Sequence, residues 1–215
     1  MGRYTGPVCR QCRREGQKLF LKGARCYMQK CPIEQGTGAP GMHVGRRAKK
    51  MSEYGSQLRQ KQSLRRQYGM GELQFHRFFE EAYRREGVTG EVLLQLLEMR
   101  LDNIVYRLGL APSRRAARQF VLHGHILVND RKAAIPSHVL NVGDVVSVKD
   151  NAKSKDAAGS KEFANRSVEA ATGAQLPQWM SFDKATLRAE VIAVPTREQI
   201  APIVDEQAIV ELYSR

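Results

Sequence analysis

Along its 215 residues this chain has no nucleophile beside a base, no paired acids in a glycine-framed stretch and no phosphate-cradling glycine loop. Asp102 and Asp183 read instead as ordinary helix or turn residues, and the pattern argues against an enzyme. Long apolar runs are missing as well. Stretches such as Val92 to Leu97 fall far short of the ~18 residues a membrane span needs. Met1 to Lys18 is broken by Arg and Glu, so no secretory signal is expected, and Gly6 stands where myristoylation would want Ser or Thr. Aromatic residues make up 7% of the chain and hydrophobic residues 42%, a globular but lean composition whose surface is suited to a charged partner. A cytosolic protein with reduced thiols is expected.

Acidic residues are scarce in the first third. Residues 1 to 70 carry 16 Lys and Arg against Glu15, Glu34 and Glu53, a net of +13, whereas residues 71 to 215 carry 19 of each sign and cancel. A field concentrated at one end favours an extended anion, and a nucleic-acid backbone is the commonest.

The same third holds all four cysteines: Cys9 and Cys12 as Cys-x2-Cys, then thirteen residues, then Cys26 and Cys31 as Cys-x4-Cys. A two-residue spacing lets a tight turn aim both thiolates at one point, and the second pair completes a tetrahedral shell. Zn2+ is the favoured occupant. An iron–sulfur cluster uses the same four thiolates, and spacing does not separate the two. Two disulfides, or four unrelated thiols, fit a cytosolic chain less well. Four Cys ligands leave no position for water or substrate, so the site reads as structural. About forty residues rich in Gly and Arg have little core of their own, and metal binding would supply much of the local folding free energy.

Residues 36 to 45, rich in Gly with one Pro, read as a linker. Arg46, Arg47, Lys49, Lys50, Arg59, Lys61, Arg65 and Arg66 follow as a basic arm, helical from Ser52 as cap to Gly69 as stop. Acids for i,i+4 pairs are nearly absent there, so an external anion is the expected neutraliser. Phe75, Phe78, Phe79, Ala82 and Tyr83 form the stripe of an amphipathic helix over 72 to 86. A longer apolar helix is expected from about Glu91 to Leu108. Ser113 caps a short helix ending at Gly124, with Arg114, Arg115 and Arg118 in one sector and Ala116, Ala117 and Phe120 opposite. His123 and His125 flank Gly124. Beyond it the period becomes two, giving short antiparallel strands at 126 to 128, 133 to 135 and 142 to 148, with Arg131 and Lys132 projecting from the hairpin. Residues 150 to 178 read as a flexible or weakly helical connector, followed by a strand within 186 to 194 and an acidic final helix carrying Asp205, Glu206 and Glu211.

Met99-Arg-Leu-Asp-Asn-Ile-Val-Tyr-Arg-Leu-Gly109, Ser113-Arg-Arg-Ala-Ala-Arg-Gln119 and His123-Gly-His-Ile-Leu-Val-Asn129 resemble the RNA-binding module named after bacterial small-subunit ribosomal protein S-four. That module also occurs in pseudouridine synthases, tyrosyl-tRNA synthetases and heat-shock RNA binders. The flanks resemble the ribosomal family itself: Met1-Gly-Arg-Tyr4, Pro7-Val-Cys9, Leu58-Arg-Gln-Lys-Gln62, Tyr68-Gly69, Gln74-Phe75, Leu97-Glu98, Pro195-Thr-Arg-Glu198 and Tyr213-Ser-Arg215. Many members of that family lack the cysteines; this chain is similar to those that keep all four.

The resemblance implies an α+β fold: a mainly α-helical, discontinuous domain, an inserted module of two helices on a short antiparallel sheet, and an N-terminal metal knuckle. The expected division is 1–45 for the four-cysteine extension and linker, 46–98 for the first helical part, 99–160 for the module, and 161–215 for the connector and helical return. It further implies a primary binder of small-subunit rRNA that nucleates assembly of the subunit body. Contacts with ribosomal protein S-five and other small-subunit proteins, a part in decoding accuracy and a place near the channel by which mRNA enters belong to the same expectation. No membrane and no small-molecule substrate are expected. The location is the small subunit, bacterial or organellar.

Arg3, Arg100, Arg131, Lys132, His123 and His125 join the arm and the Arg-faced helix as expected RNA contacts, and Glu206 and Glu211 are expected to face protein. Structured RNA hides its base edges in a narrow groove, so shape and phosphate placement would be read, with Arg forks suited to phosphate. An RNA-modifying enzyme or stress RNA binder with the same module, or a zinc-dependent transcription regulator, are the rival readings. About 70 residues remain after arm, module and connector, too few for a catalytic domain.

Overall fold

A short helix, α1 (Cys9–Glu15), opens the structure and stops at Gly16, whose φ of 71° is open to glycine without strain. In this computed structural model the described residues are 3–41, 51–149, 164–165, 167–169, 176–200 and 204–214. They divide into two compact units, Met1–Leu93 with Ala201–Arg215, and Leu94–Ile200.

In the first unit, Val8, Cys12, Leu19 and Leu21 bury together with Ile33 against them, and a 3-10 turn spans Gly23–Tyr27. This small core gives the cysteine segment apolar support. Ser52, in extended conformation, accepts a hydrogen bond from the Gly55 N–H at 3.2 Å and so starts α2 (Glu53–Gln67). Gly69, at φ 64°, closes it as expected. α3 (Glu72–Arg84) buries Phe75, Phe79 and Ala82, while Tyr83 is 70% exposed, so the stripe is narrower than its spacing suggests. α4 (Thr89–Glu98) follows.

The continuous helix expected over 91 to 108 is two helices, with α5 starting afresh at Leu101–Arg107. Arg100 between them is extended and bridges to Val139. The Leu101 N–H donates to His138 O at 2.8 Å, the Asp102 N–H to Pro136 O at 3.1 Å, and the Leu140 N–H to Met99 O at 2.9 Å. Backbone groups that a helix would satisfy internally are satisfied by the 136–140 segment.

α6 (Arg114–Leu122) is capped by Ser113, which accepts from the Ala116 N–H, and packs on α5 through Ala117, Phe120 and Val121. Five strands form one antiparallel sheet in the order β2-β1-β3-β5-β4: β1 (Ile126–Val128), β2 (Arg131–Lys132), β3 (Val145–Val148), β4 (Met180–Asp183) and β5 (Arg188–Val191). Asn129 and Asp130, at φ 50° and 60°, make the tight turn of the first hairpin. β2 therefore lies at 131–132, ahead of the 133–135 expected. β5 falls inside the predicted 186–194 strand, and β4 is new. The 161–215 stretch, assigned from sequence to the connector and C-terminal return, thus supplies two strands to the sheet: β5 pairs with β3 through Val146↔Ala189, and β4 pairs with β5. Leu101, Ile104, Val105, Phe120, Ile126, Val146, Trp179 and Val191 share its core. Fully burying a side chain of that size contributes about 1.5–3 kcal/mol.

Of the predicted connector, residues 164–165 and 167–169 are helical, with Ala164 buried in that core; most of 150–175 lies outside the described residues. The last helix, α7 (Glu206–Tyr213), belongs to the first unit and packs on α2. Asp205 caps it by accepting from the Gln207 and Ala208 N–H groups. Gly90 lets it come close: a Cβ there would sit 2.9 Å from Glu206 Cγ. Among the described residues no helix is long and apolar enough to cross a membrane.

Candidate nucleic-acid interface

Cys9 and Cys12 lie on α1, Cys26 lies in the 3-10 turn and Cys31 just beyond it. All four are free thiols, and all but Cys9 are buried. The Lys22 N–H donates to Cys26 Sγ at 3.3 Å. Burial pushes the Cys12 thiol up, the Leu19 backbone N–H opposes this, and the other three sulfurs add to the rise. Cys26 follows the same pattern, raised by burial and by Cys31 and Cys9 against the Lys22 and Leu21 N–H groups. N–H···S bonding on thiols that form no disulfide is donor chemistry that fits a soft divalent cation. Among the described residues no three His, Cys, Asp or Glu side chains are gathered into a ligand shell.

Of the basic arm, Arg46, Arg47, Lys49 and Lys50 lie outside the described residues. The cations on α2 have internal partners. Glu15 from α1, its side chain 1% exposed, takes both Arg66 and, at 3.3 Å, Arg59. Glu72 from α3 takes Lys61 at 2.5 Å and Arg65 at 3.4 Å. An external anion was expected because α2 itself has few acids, but the counter-charges come from other helices. Each carboxylate is shared by two cations, so each trio keeps one positive charge. Lys61 is buried, its ammonium also 5.2 Å from the Tyr213 ring centroid, and belongs to the interior. Arg3 is exposed.

On α6, Arg114 and Arg118 are held from beneath. Arg114 Nε donates to Asn103 Oδ1 at 2.8 Å and its guanidinium lies 4.6 Å from the Tyr106 ring centroid. Arg118 Nη1 donates to Asp102 Oδ2 at 3.3 Å. Asp102 is gripped in turn by Arg100, through Nε at 3.1 Å and Nη2 at 2.8 Å. Asn103 Nδ2 donates to the Glu98 carboxylate at 2.8 Å, and Glu98 accepts two bonds from Arg107. Arg100, at 1% exposure, is an interior anchor and not the RNA contact its charge suggested. Arg115 is half-exposed.

Sequence reading passed over Glu98, Asp102 and Asn103 as positioning groups. The available signal was three polar residues among the apolar positions Leu97, Leu101, Ile104 and Val105, all of which are buried. His123 is exposed and its ring lies 5.9 Å from that of half-buried His125, which rests 5.0 Å from Phe120. Arg131 and Lys132 are exposed on edge strand β2, and the Lys132 stem crosses Gly124, where a Cβ would meet Cε at 2.2 Å. Lys132 and the two histidines are thereby brought to one place. Glu211 is used within the chain, accepting from Gln57 Nε2 at 2.9 Å, and Glu206 lies over Gly90.

Family models match at residues 3–98, described as ribosomal protein S4/S9 N-terminal domain, and at 99–146, described as S4 domain. The chain is similar over its full length, and over the full length of each relative, to small ribosomal subunit protein uS4 of Acidithiobacillus ferrooxidans at 53% identity. The same holds for the uS4 proteins of Halothermothrix orenii at 54% and Heliobacterium modesticaldum at 55%. Two helices on a small antiparallel sheet, with arginines fixed on the outer helix, define the class: an RNA-binding protein of the S4-domain type. The chain belongs to the small ribosomal subunit protein uS4 family.

Proposed function

We propose that this chain binds small-subunit rRNA as a primary assembly protein, reading helix shape and phosphate placement, with no chemistry performed. The observation that carries this reading is the fixing of Arg114 and Arg118 by buried Asn103 and Asp102, since a guanidinium held in place loses less freedom on meeting a phosphate. Arg115, Arg131, Lys132, His123 and His125 extend the same basic surface, and the arm at Arg46, Arg47, Lys49 and Lys50 adds charge that an RNA backbone neutralises. Contacts with ribosomal protein S-five, an influence on decoding accuracy and nearness to mRNA are part of this proposal, with Glu206 offered to a basic protein neighbour.

Cys9, Cys12, Cys26 and Cys31 would hold a zinc ion. When bound, it supplies structural cross-linking and no catalytic chemistry. Support comes from the four free thiols, the N–H bonds on their sulfurs and the smallness of the core formed by Val8, Leu19 and Leu21.

Binding to purified small-subunit rRNA across a salt series tests the RNA reading. Neutralising about eight phosphates gives a slope of about −6 to −7 in log K against log salt. A slope near −2, or equal affinity for duplex DNA at the same salt, contradicts it.

A further inference from the structure

Phe20 and Tyr27 stand ring against ring in the cysteine segment, with centroids 5.3 Å apart and planes tilted by 33°. Phe20 has a φ of 50°, a left-handed backbone that an aromatic residue rarely adopts. Leu19 and Leu21 on either side are buried, while Phe20 is half-buried. Tyr27 directly follows buried Cys26 on the 3-10 turn and is 72% exposed. Lys22, Arg25 and Lys30 are exposed within five residues of Tyr27, and no acid occurs between Gly16 and Ile33.

An exposed tyrosine ring beside a half-buried phenylalanine, among cations on a short turn, suits a ligand that is flat on one side and anionic on the other. An unpaired nucleotide has both properties: its base stacks on a ring and its phosphate meets the cations. An apolar protein side chain would use the ring but leave the cations unmatched. Double-stranded RNA would use the cations but not the ring. Resting on the rRNA-binding reading above, we infer that Phe20 and Tyr27 form a stacking platform for one unpaired base of the RNA, with Lys22, Arg25 and Lys30 taking the adjoining phosphates.

The full-length chain and purified small-subunit rRNA supply the test, by filter binding over a salt series. Tyr27→Leu keeps apolar bulk but removes the π face, and should weaken binding roughly ten- to a hundredfold with the salt slope unchanged. Tyr27→Phe should stay within about twofold of wild type. Lys22→Ala should instead flatten the slope by about 0.7 to 0.9. Ultraviolet irradiation of the wild-type complex needs no variant and should link RNA to Tyr27 or Phe20. The platform is overturned if Tyr27→Leu binds like wild type, if Tyr27→Phe loses as much as Tyr27→Leu, or if linkage maps only elsewhere. Wild type with a shallow slope overturns the rRNA reading itself; wild type with a steep slope and a silent Tyr27→Leu overturns the platform alone.

Discussion

Arg118 on the outer face of α6 reaches Asp102 Oδ2 at 3.3 Å, so a part-exposed cation is fixed by a carboxylate that lies inside the fold. That carboxylate also faces Arg100, and their side chains are 8% and 1% exposed. The two arginines should therefore report different things. Arg118→Ala breaks a part-exposed pair, with a stability cost of about 0–1 kcal/mol, but removes a phosphate ligand and flattens the salt slope of RNA binding by about 0.7 to 0.9. Asp102→Ala removes the buried acid and should cost about 3–5 kcal/mol in urea unfolding. Equal stability losses for the two variants would show that the ion pair is not organised as described.

The parts of this arrangement that are local in sequence were legible there. Ser52 and Ser113 announce their helices, Gly69 and Gly124 close them, and the arginine sector of α6 follows from 3.6-residue periodicity. What long-range packing decides was not legible. Nothing between Glu91 and Leu108 marks a break, because the cause lies at Pro136, His138 and Val139 some thirty residues away. Glu15 and Glu72 neutralise α2 from other helices, so an i,i+4 count could not find them. The stretch that holds β4 and β5 reads in sequence as part of the C-terminal return, whereas β5 pairs with β3 and β4 with β5, which puts both in the sheet. The candidate RNA site divides the same way: its arginines were readable as a face, whereas Asp102 and Asn103 acquire a role only through contact with that face.

Docking of α7 should depend on pH at both ends. Burial alone would raise the Glu72 carboxyl, but the Lys61 hydrogen bond and charge, the Tyr213 hydroxyl and Arg65 outweigh it and hold Glu72 below its usual 4.5. Its contribution is present above pH 4.5 and is lost as pH falls through the depressed value. Tyr213 is raised above its usual 10.0 by burial first, then by the Glu72 charge, so its contribution is present below pH 10.0 and is lost as pH climbs beyond. Lys61, Arg65 and His76 are the other ionisable groups around the pair. Amide exchange of α7 should show a protected plateau between about pH 4.5 and 10, and Glu72→Gln should flatten its acid limb relative to wild type. An acid limb identical in the variant would remove Glu72 from the account.

Metal removal should act on the cysteine segment and spare the sheet. The purified chain should carry about one zinc per molecule by elemental analysis, and Cys12→Ser should lose it. Chelation should then open residues 17 to 33 to protease. Thermal unfolding followed at Trp179, which is buried in the Leu94–Ile200 unit, should stay unchanged. A metal-free chain that resists protease as well as the untreated one would mean the thiols hold no structural ion.

Gly124 is the residue on which the placement of Lys132 turns. Its φ of 73° is strained for any side chain, and a Cβ would come within 2.2 Å of Lys132 Cε and 3.0 Å of its Nζ. Gly124→Ala therefore combines a left-handed backbone cost of about 1–3 kcal/mol with displacement of the lysine from its place beside His123 and His125. The Lys132 end is flexible and exposed, so it moves aside before the backbone does. The backbone penalty remains, because the Gly124 N–H donates to Val121 O at 2.8 Å and ends α6 in that conformation. Urea unfolding should show the full loss in Gly124→Ala. Lys132→Ala should leave stability within about 0.5 kcal/mol, and adding it to Gly124→Ala should recover little. Full recovery in the double variant would assign the cost to the Lys132 clash and not to the helix terminus.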